Sequence, residues 1–213
     1  MKTILCYGDS NTWGYDPRTA RRFDNKTRWP MVMEHFLNRG MDKPAWHVVE
    51  EGLCGRTSCR EDPVEGDRNG LRQLIPILES HKPLDVIAIL LGTNDLKPRF
   101  SPMPYDIARG VQRVAIAAME SKTGPSDGPP KVIMICPPPT IASPAFSHIF
   151  GDSVEISKKL PPFYSQLADE CGAIFLDAGN IVATSSADGI HFDPEGHLAL
   201  AEAVAAIVLD MAQ

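Results

Sequence analysis

The chain has 213 residues, of which 43% are hydrophobic and 23% are charged, so we expect one domain (1–213) with a full core. Its 21 Lys and Arg residues against 27 Asp and Glu residues give a formal net charge of −6, which argues against nucleic acid or an anionic membrane as partner. The five cysteines form no Cys-x-x-Cys pair, which argues against a disulfide scaffold.

Apolar segments rich in β-branched residues alternate with segments of helical periodicity along the chain. The strands are predicted at residues 3–7, 47–50, 86–91, 131–136 and 173–176, and the helices at residues 29–38, 70–81, 105–121, 153–171 and 194–211. Pro76 inside the second helix predicts a kink or a break. The strict alternation favours a parallel sheet covered by helices on both faces.

The first residues lead directly into a strand, without the apolar stretch and cleavage site of a signal peptide. No segment reaches the run of about 18 apolar residues that spans a bilayer. We therefore expect a soluble, cytoplasmic protein.

The connection after the fourth strand is too long and too rich in proline for a minimal loop. It begins with PPPTIASPAFSHIF at 137–150, and we assign an insertion to residues 137–162. Long insertions of this kind often bind substrates or partners, although a solvated excursion without a role is the alternative.

Polar residues follow four of the five predicted strands, and in a parallel sheet these positions converge on one edge where ligands bind. The segments are GDS at 8–10, EGLCGRT at 51–57, GTNDLK at 92–97, and DAG at 177–179 leading on to ADGIHFDPEG at 187–196.

Ser10 is the candidate nucleophile, and it needs a base that titrates near neutrality, such as histidine. Among the six histidines, His191 lies in a predicted loop with Asp188 three residues before it. This spacing lets the carboxylate orient the imidazole ring, as the acid of a catalytic triad does. An Asp-Ser helix cap and an ordinary polar turn are the alternative interpretations of these two motifs.

Acyl transfer also requires hydrogen-bond donors for the oxyanion. The side-chain amide of Asn94 and the backbone N–H groups of Gly55 and Ser10 are the candidates. An Asx turn at Asn94 and a positive φ at Gly55 are the alternatives.

In this order and at these spacings, GDS, GLCGRT, GTND and DGIH resemble the four blocks of the SGNH (GDSL-type) hydrolase family. The resemblance covers nearly the whole chain and implies a flavodoxin-like three-layer α/β/α sandwich with a five-stranded parallel sheet. It implies Ser10 as nucleophile, Gly55 and Asn94 as oxyanion donors, and Asp188 and His191 as the remaining triad members.

The wider stretches ILCYGDSNTWG, EEGLCGRT, LLGTNDLK and DGIHF resemble the bacterial arylesterase and acyltransferase branch. This resemblance implies hydrolysis of small esters, acyl transfer to alcohols or peroxide, and a homo-oligomer, which we expect to be a tetramer or octamer. Ile141, Phe146, Ile149 and Phe150 support the oligomer, because a monomer would have difficulty covering all four. No cofactor or metal is expected, since no metal-binding motif is recognisable.

Candidate substrate contacts lie beside the four blocks or in the insertion: Asp9, Asn11, Trp13, Thr93, Lys97, Phe150, Ile190 and Phe192. Core packing or simple exposure is the alternative for the aromatic residues and Lys97. Asn11 stands where the GDSL signature has leucine, which leaves the acyl preference open. Cys54, beside a presumed oxyanion donor, is either a reagent-sensitive thiol or a buried structural one.

Three other kinds of function are compatible with a parallel α/β sheet. A carbohydrate-acetate esterase would use the same residues on a sugar-bound acetyl group. A non-catalytic flavodoxin-like module would bind a nucleotide, but no glycine-rich phosphate loop follows any strand. A catalytically inactive scaffold of the same family would act as an interaction protein, but all the catalytic residue types are present.

Overall fold

The computed structural model describes residues 1–151 and 153–211, and its centre is a five-stranded parallel sheet. The strands are β1 (Lys2–Gly8), β2 (Trp46–Gly52), β3 (Val86–Leu90), β4 (Lys131–Cys136) and β5 (Ile174–Asp177). Their order is β2-β1-β3-β4-β5, and each neighbouring pair is parallel. This order confirms the predicted flavodoxin-like fold, in which the chain departs in opposite directions from the β1/β3 switch point.

The helices connect successive strands and close the chain. They are α1 (Ser10–Trp13), α2 (Trp29–Leu37), α3 (Gly70–His81), α4 (Pro104–Glu120), α5 (Ser147–Phe150), α6 (Ser153–Ser157), α7 (Leu160–Cys171) and α8 (Pro194–Asp210). Short 3₁₀ turns follow β3 at Asn94–Leu96 and β5 at Ala178–Asn180.

The sheet separates two apolar cores because neighbouring residues of a strand point to opposite faces. Leu5 and Tyr7 of β1 face the core formed with α3, α4 and α7. Ile4 and Cys6 face the core formed with α2 and α8. All residues of β3 are buried, as expected for a central strand that is covered on both faces.

Two helix predictions need correction. The predicted helix at 153–171 is two helices, because Pro161 and Pro162 cannot continue a preceding helix but fit the first turn of α7. Of the kink or break predicted at Pro76, the break is absent, because α3 runs through this residue. Pro76 is exposed, so water can satisfy the helix carbonyl that loses its donor.

The insertion is better covered than the sequence predicts. Phe150 is buried, and Phe146 and Ile149 are half-buried against the core of α3, α4 and α7. Ile141 is exposed. The chain therefore buries Phe150 and covers Phe146 and Ile149 in part, and of the four side chains it leaves only Ile141 exposed.

Among residues 1–151 and 153–211, no helix combines the length and the apolarity that crossing a membrane requires.

His197 on α8 is a polar residue without exposed surface in the core of α2 and α8. Its Nδ1 accepts a hydrogen bond of 3.4 Å from the backbone N–H of Trp29, and the rings of Phe23 and Phe192 pack edge-on against the imidazole. Burial disfavours the charged imidazolium and lowers the pKa of His197 to about 4.

We expect this histidine to make folding sensitive to acid. Between pH 4 and 6.5 the unfolded chain binds a proton at His197 that the folded chain does not, so stability rises with pH across this window. His197→Asn keeps an acceptor near the position of Nδ1 but cannot titrate. When the pH is lowered from 7 to 4, wild type should therefore lose about 3 kcal/mol more of its free energy of unfolding than the variant does.

Urea denaturation at several pH values measures this difference. The exposed His35 on α2, replaced by Asn in the same way, controls for the loss of a histidine as such. A His197→Asn difference that stays constant from pH 7 to pH 4 would contradict the prediction.

Candidate active site

Ser10 lies at the carboxyl end of β1, at the first position of the short helix α1. The Asp9 carboxylate caps this helix by accepting a hydrogen bond of 2.9 Å from the N–H of Asn11. Gly8 and Gly52 permit the tight turn. A Cβ on Gly8 would collide with Thr12 Oγ1, and one on Gly52 would collide with the backbone of Trp13.

A continuous line of hydrogen bonds joins Ser10 to the loop before α8. The Ser10 Oγ lies 2.8 Å from His191 Nε2, and His191 Nδ1 lies 2.6 Å from Asp188 Oδ2. The second oxygen of Asp188 accepts the backbone N–H groups of Ile190 and His191, each at 2.9 Å. These bonds fix the carboxylate, and with it the orientation of the imidazole.

At the Asp188 carboxylate, hydrogen bonds lower the pKa by more than burial raises it. Burial alone would raise the pKa of Asp188, but the side-chain and backbone hydrogen bonds from His191 and the N–H of Ile190 hold it below its ordinary value. Asp188 is therefore ionised at neutral pH, and it holds the Nδ1 proton of His191 while Nε2 faces the serine. This arrangement can activate a serine as a nucleophile.

Two aromatic rings also position the imidazole. The ring of Tyr15 lies 4.2 Å from that of His191 between centroids, tilted by 30°, and Phe146 meets His191 edge-on at 5.8 Å. Neither residue was predicted as a site residue. Tyr15 lies just beyond α1, and Phe146 belongs to the insertion, so neither follows a strand directly.

The candidate oxyanion donors lie around the same cavity as Ser10. Gly55 has φ +82°, a conformation that favours glycine, and Asn94 begins the 3₁₀ turn after β3. One amide hydrogen of Asn94 points toward Asp9 Oδ2 over 3.4 Å. Because a side-chain amide has two hydrogens, this contact leaves the other free for a ligand.

Two carboxylates lie buried behind these donors. Burial raises the pKa of Asp9 and of Asp95 to about 6 in each case. Asp95 is held by the hydroxyl and backbone N–H of Ser58, at 2.6 and 2.9 Å, with Arg60 at 3.6 Å. The turn after β3 is thus tied to the loop after β2.

Arg56 fastens the ends of two strands. Its guanidinium donates to the carbonyl oxygen of Gly8 at 2.7 Å and to that of Glu51, and it stacks 4.3 Å from the ring centroid of Tyr7. Arg56 was not predicted as a site residue, although it lies within the GLCGRT segment.

Ser10, Gly55, Asn94 and His191 open onto one cavity of about 170 Å³. Three of the predicted substrate contacts line it, namely Lys97, Phe150 and Ile190. The other lining residues are Tyr15, Cys54, Glu65, Phe146 and Ile149. Burial raises the pKa of the Cys54 thiol to about 11, so it is protonated at neutral pH and is a poor nucleophile.

The remaining predicted contacts lie outside the lining of this cavity. Asp9, Asn11 and Thr93 are buried beside it, and Asn11 Nδ2 donates to the carbonyl of Ile190 over 3.4 Å. Trp13 packs under Arg22, 5.4 Å from its guanidinium. Phe192 has no exposed surface and packs against His197 in the core, because the loop turns inward after His191.

A second cavity of about 470 Å³ adjoins the first. It is formed largely by the insertion, and Phe146, Phe150 and Ile190 separate the two spaces. Among residues 1–151 and 153–211, no group of three or more His, Cys, Asp or Glu side chains is arranged to hold a metal ion.

The family model of the GDSL-like lipases and acylhydrolases matches residues 6–199. The chain belongs to this family. Its members are ester hydrolases, and the protein is a carboxylic ester hydrolase. A search of the curated proteins gives no match.

Solved structures similar to this chain include two kinds of esterase. Est24, a carbohydrate acetylesterase from Sinorhizobium meliloti, is 36% identical with a TM-score of 0.92, over 99% of this chain and 100% of its own. The M. smegmatis aryl esterase is 37% identical with a TM-score of 0.90, over 99% of each chain. A putative arylesterase from Agrobacterium tumefaciens is 39% identical with a TM-score of 0.88, over 99% of each chain. These similarities support esterase function and do not favour a non-catalytic binding module.

Proposed function

We propose that the protein hydrolyses esters of small acyl and aryl groups by two-step acyl transfer on Ser10. The observation that carries the proposal is the line of hydrogen bonds from Ser10 through His191 to Asp188, which opens onto a cavity. A serine in this arrangement can lose its proton to the imidazole as it attacks a carbonyl.

In the first step His191 Nε2 takes the Ser10 proton while Oγ bonds to the ester carbonyl carbon. The tetrahedral intermediate then collapses, its bond to the alkoxide oxygen breaks, and His191 returns the proton to the leaving alcohol. In the second step His191 takes a proton from water as the water oxygen bonds to the acyl carbon. The second tetrahedral intermediate collapses, the bond from the acyl carbon to Ser10 Oγ breaks, and His191 returns the proton to Oγ as the acid leaves. Asp188 stays ionised and stabilises the imidazolium that forms in each step.

The negative oxygen of both intermediates would lie among the N–H groups of Ser10 and Gly55 and the amide of Asn94. Such donors contribute most when they are fixed before the reaction begins. Two buried hydrogen bonds support this role because they hold the turn after β3 in place. Asn94 donates to Asp9, and the Ser58 hydroxyl donates to Asp95.

The cavity argues for small substrates. At about 170 Å³ it lies below the ~300–1,000 Å³ typical of sites for drug-sized ligands. Its apolar walls include Phe146, Ile149 and Phe150, which suit a short acyl chain or an aryl ring. The similarity to Est24 makes sugar-bound acetate the second candidate substrate.

Acyl transfer to acceptors other than water rests mainly on the resemblance to the arylesterase and acyltransferase branch. We propose that the acyl group can also pass to alcohols or peroxide, since aromatic walls beside His191 limit the access of water.

We also propose a reducing, cytoplasmic location, supported by five free thiols, of which Cys6 and Cys136 lie inside strands.

The central test is the loss of the nucleophile. Ser10→Ala should lower kcat for p-nitrophenyl acetate by about 10³-fold or more, because the remaining donors cannot form an acyl-enzyme. It should also abolish labelling by a fluorophosphonate. Ser186→Ala is the matched control, since Ser186 is exposed on the loop that carries Asp188. Retention of more than about a tenth of wild-type kcat by Ser10→Ala would refute the proposal.

A second variant tests how Asp188 sets the tautomer of His191. In Asp188→Asn the two backbone N–H groups on Oδ1 should hold the amide oxygen, which turns the NH₂ group toward His191 Nδ1. The imidazole then carries its proton on Nε2 and cannot take one from Ser10. We expect kcat to fall by about 10⁴-fold with unchanged folding, as measured by initial rates and circular dichroism. A fall of less than tenfold would exclude this role.

We also propose a closed homo-oligomer with the insertion at a subunit contact, supported by the resemblance and by the 43% exposure of Ile141. Light scattering at micromolar concentration should give a multiple of the 23.3 kDa chain mass. Ile141→Asp should lower that mass, because it would place a charge in an apolar contact, while the exposed Leu198→Asp on α8 is the control. A wild-type mass near that of one chain would refute the assembly.

A further inference from the structure

One carboxylate in the wall of the candidate active site has no part in the mechanism. Glu65 lies on the loop between β2 and α3 and lines the same cavity as Ser10 and Asn94. A Cβ on Gly55 would collide with Glu65 Oε2, so this oxygen lies directly against the backbone of a candidate oxyanion donor.

The other oxygen of Glu65, Oε1, accepts hydrogen bonds from two basic side chains. Lys97 Nζ lies 2.5 Å from Oε1, and the Arg99 guanidinium lies 2.6 Å from the same atom. Lys97 is buried, and the loop is fixed by Asp62, which accepts the backbone N–H groups of Val64 and Glu65 at 2.9 and 3.0 Å. The carboxylate is therefore oriented before any substrate arrives.

Oε2 is left as a free acceptor at the cavity. Within residues 1–151 and 153–211 the hydrogen bonds to this carboxylate both fall on Oε1, and the side chain is 32% exposed. An oriented carboxylate oxygen beside a reacting carbonyl can accept a hydrogen bond from a donor group of the substrate.

The charges around Glu65 favour a neutral donor over a cation. Four charged side chains form one ion-paired cluster with a formal net charge of zero, namely Asp62, Glu65, Lys97 and Arg99. The Arg68 guanidinium adds a positive charge nearby, because a Cβ on Gly55 would meet Arg68 Nε at 3.2 Å as well as Glu65 Oε2. A substrate ammonium gains little net attraction from such a cluster and must lose its hydration. A hydroxyl group donates one hydrogen bond at a smaller desolvation cost.

We propose that Glu65 is a specificity-determining residue that accepts a hydrogen bond from a substrate hydroxyl one or two carbons from the scissile ester group. This rests on the proposed esterase function and adds a substrate class to it: hydroxylated esters, with the hydroxyl on the acyl or the alcohol side.

Two pairs of esters of matched size test the proposal. Methyl glycolate and methyl propionate place a hydroxyl or a methyl group on the acyl side. 2-Hydroxyethyl acetate and propyl acetate do the same on the alcohol side. The readout is the ratio of kcat/KM within each pair, compared between wild type and variant, so that differences in intrinsic reactivity cancel.

Glu65→Gln is the sharpest variant. Lys97 and Arg99 have only donors, so the amide oxygen must face them, and the NH₂ group then replaces Oε2 at the cavity. An acceptor becomes a donor with almost no change in shape. We expect the hydroxyl preference to fall by about tenfold or more in at least one pair, the usual effect of losing a hydrogen bond to a charged group. The pair that responds identifies the side of the ester.

Glu61→Gln is the matched control, because Glu61 lies on the same loop with its side chain 62% exposed and outside the cavity lining. If Glu65→Gln is unstable, Glu65→Asp preserves the charge of the cluster but withdraws the carboxylate from the cavity, and should lower the same ratio. Unchanged ratios in both pairs, with esters still hydrolysed, would overturn the role of Glu65. Absence of hydrolysis of all four esters by wild type would instead overturn the proposed function.

Discussion

The candidate site depends on how closely the turn after β1 packs against the neighbouring strands. A side chain at Gly8 or Gly52 would occupy the space of α1, so both positions require glycine for Ser10 to lie at the edge of the sheet. Arg56 then bonds the carbonyl oxygens at the ends of β1 and β2, which keeps the two strands in register beneath the serine. The candidate donor Gly55, on the loop after β2, is thereby held at a fixed distance from Ser10.

The site also contains more buried charge than its chemistry alone requires. Asp9 and Asp95 lie without exposed surface behind the donors, and burial raises both pKa values to about 6. A buried carboxylate is tolerated when its oxygens are bonded, and here the partners come from other loops. Asp95 bonds Ser58 after β2, while Asp9 after β1 faces Asn94 after β3. The hydrogen bonds that compensate for the desolvation of these carboxylates thus fix the three loops relative to one another.

The strands and the catalytic candidates were predictable because both follow from local pattern. Ser10 and Asn94 directly follow buried strands, and in a parallel sheet such positions must meet. Glu65 and Phe146 were not predictable as cavity residues, since each lies in a long loop whose path depends on tertiary contacts. The prediction of Phe192 as a substrate contact was wrong, because a residue next to His191 in sequence can still point its side chain into the core. The rule that proline interrupts a helix did not predict the continuous α3, because its outcome at Pro76 also depends on whether that face of the helix is exposed to water.

Phe146 links the insertion to the chemistry. Its ring meets His191 edge-on and Phe150 at a centroid distance of 6.4 Å, and it lines both the 170 Å³ and the 470 Å³ cavities. Any displacement of the insertion must therefore move a ring that contacts the imidazole, or open the space between the cavities. If a second subunit covers the insertion, it stabilises the position of the base and limits water at the acyl-enzyme through the same residue. The partition between hydrolysis and the proposed acyl transfer would then depend on assembly, although the hydrogen bonds that join Ser10, His191 and Asp188 lie within one chain.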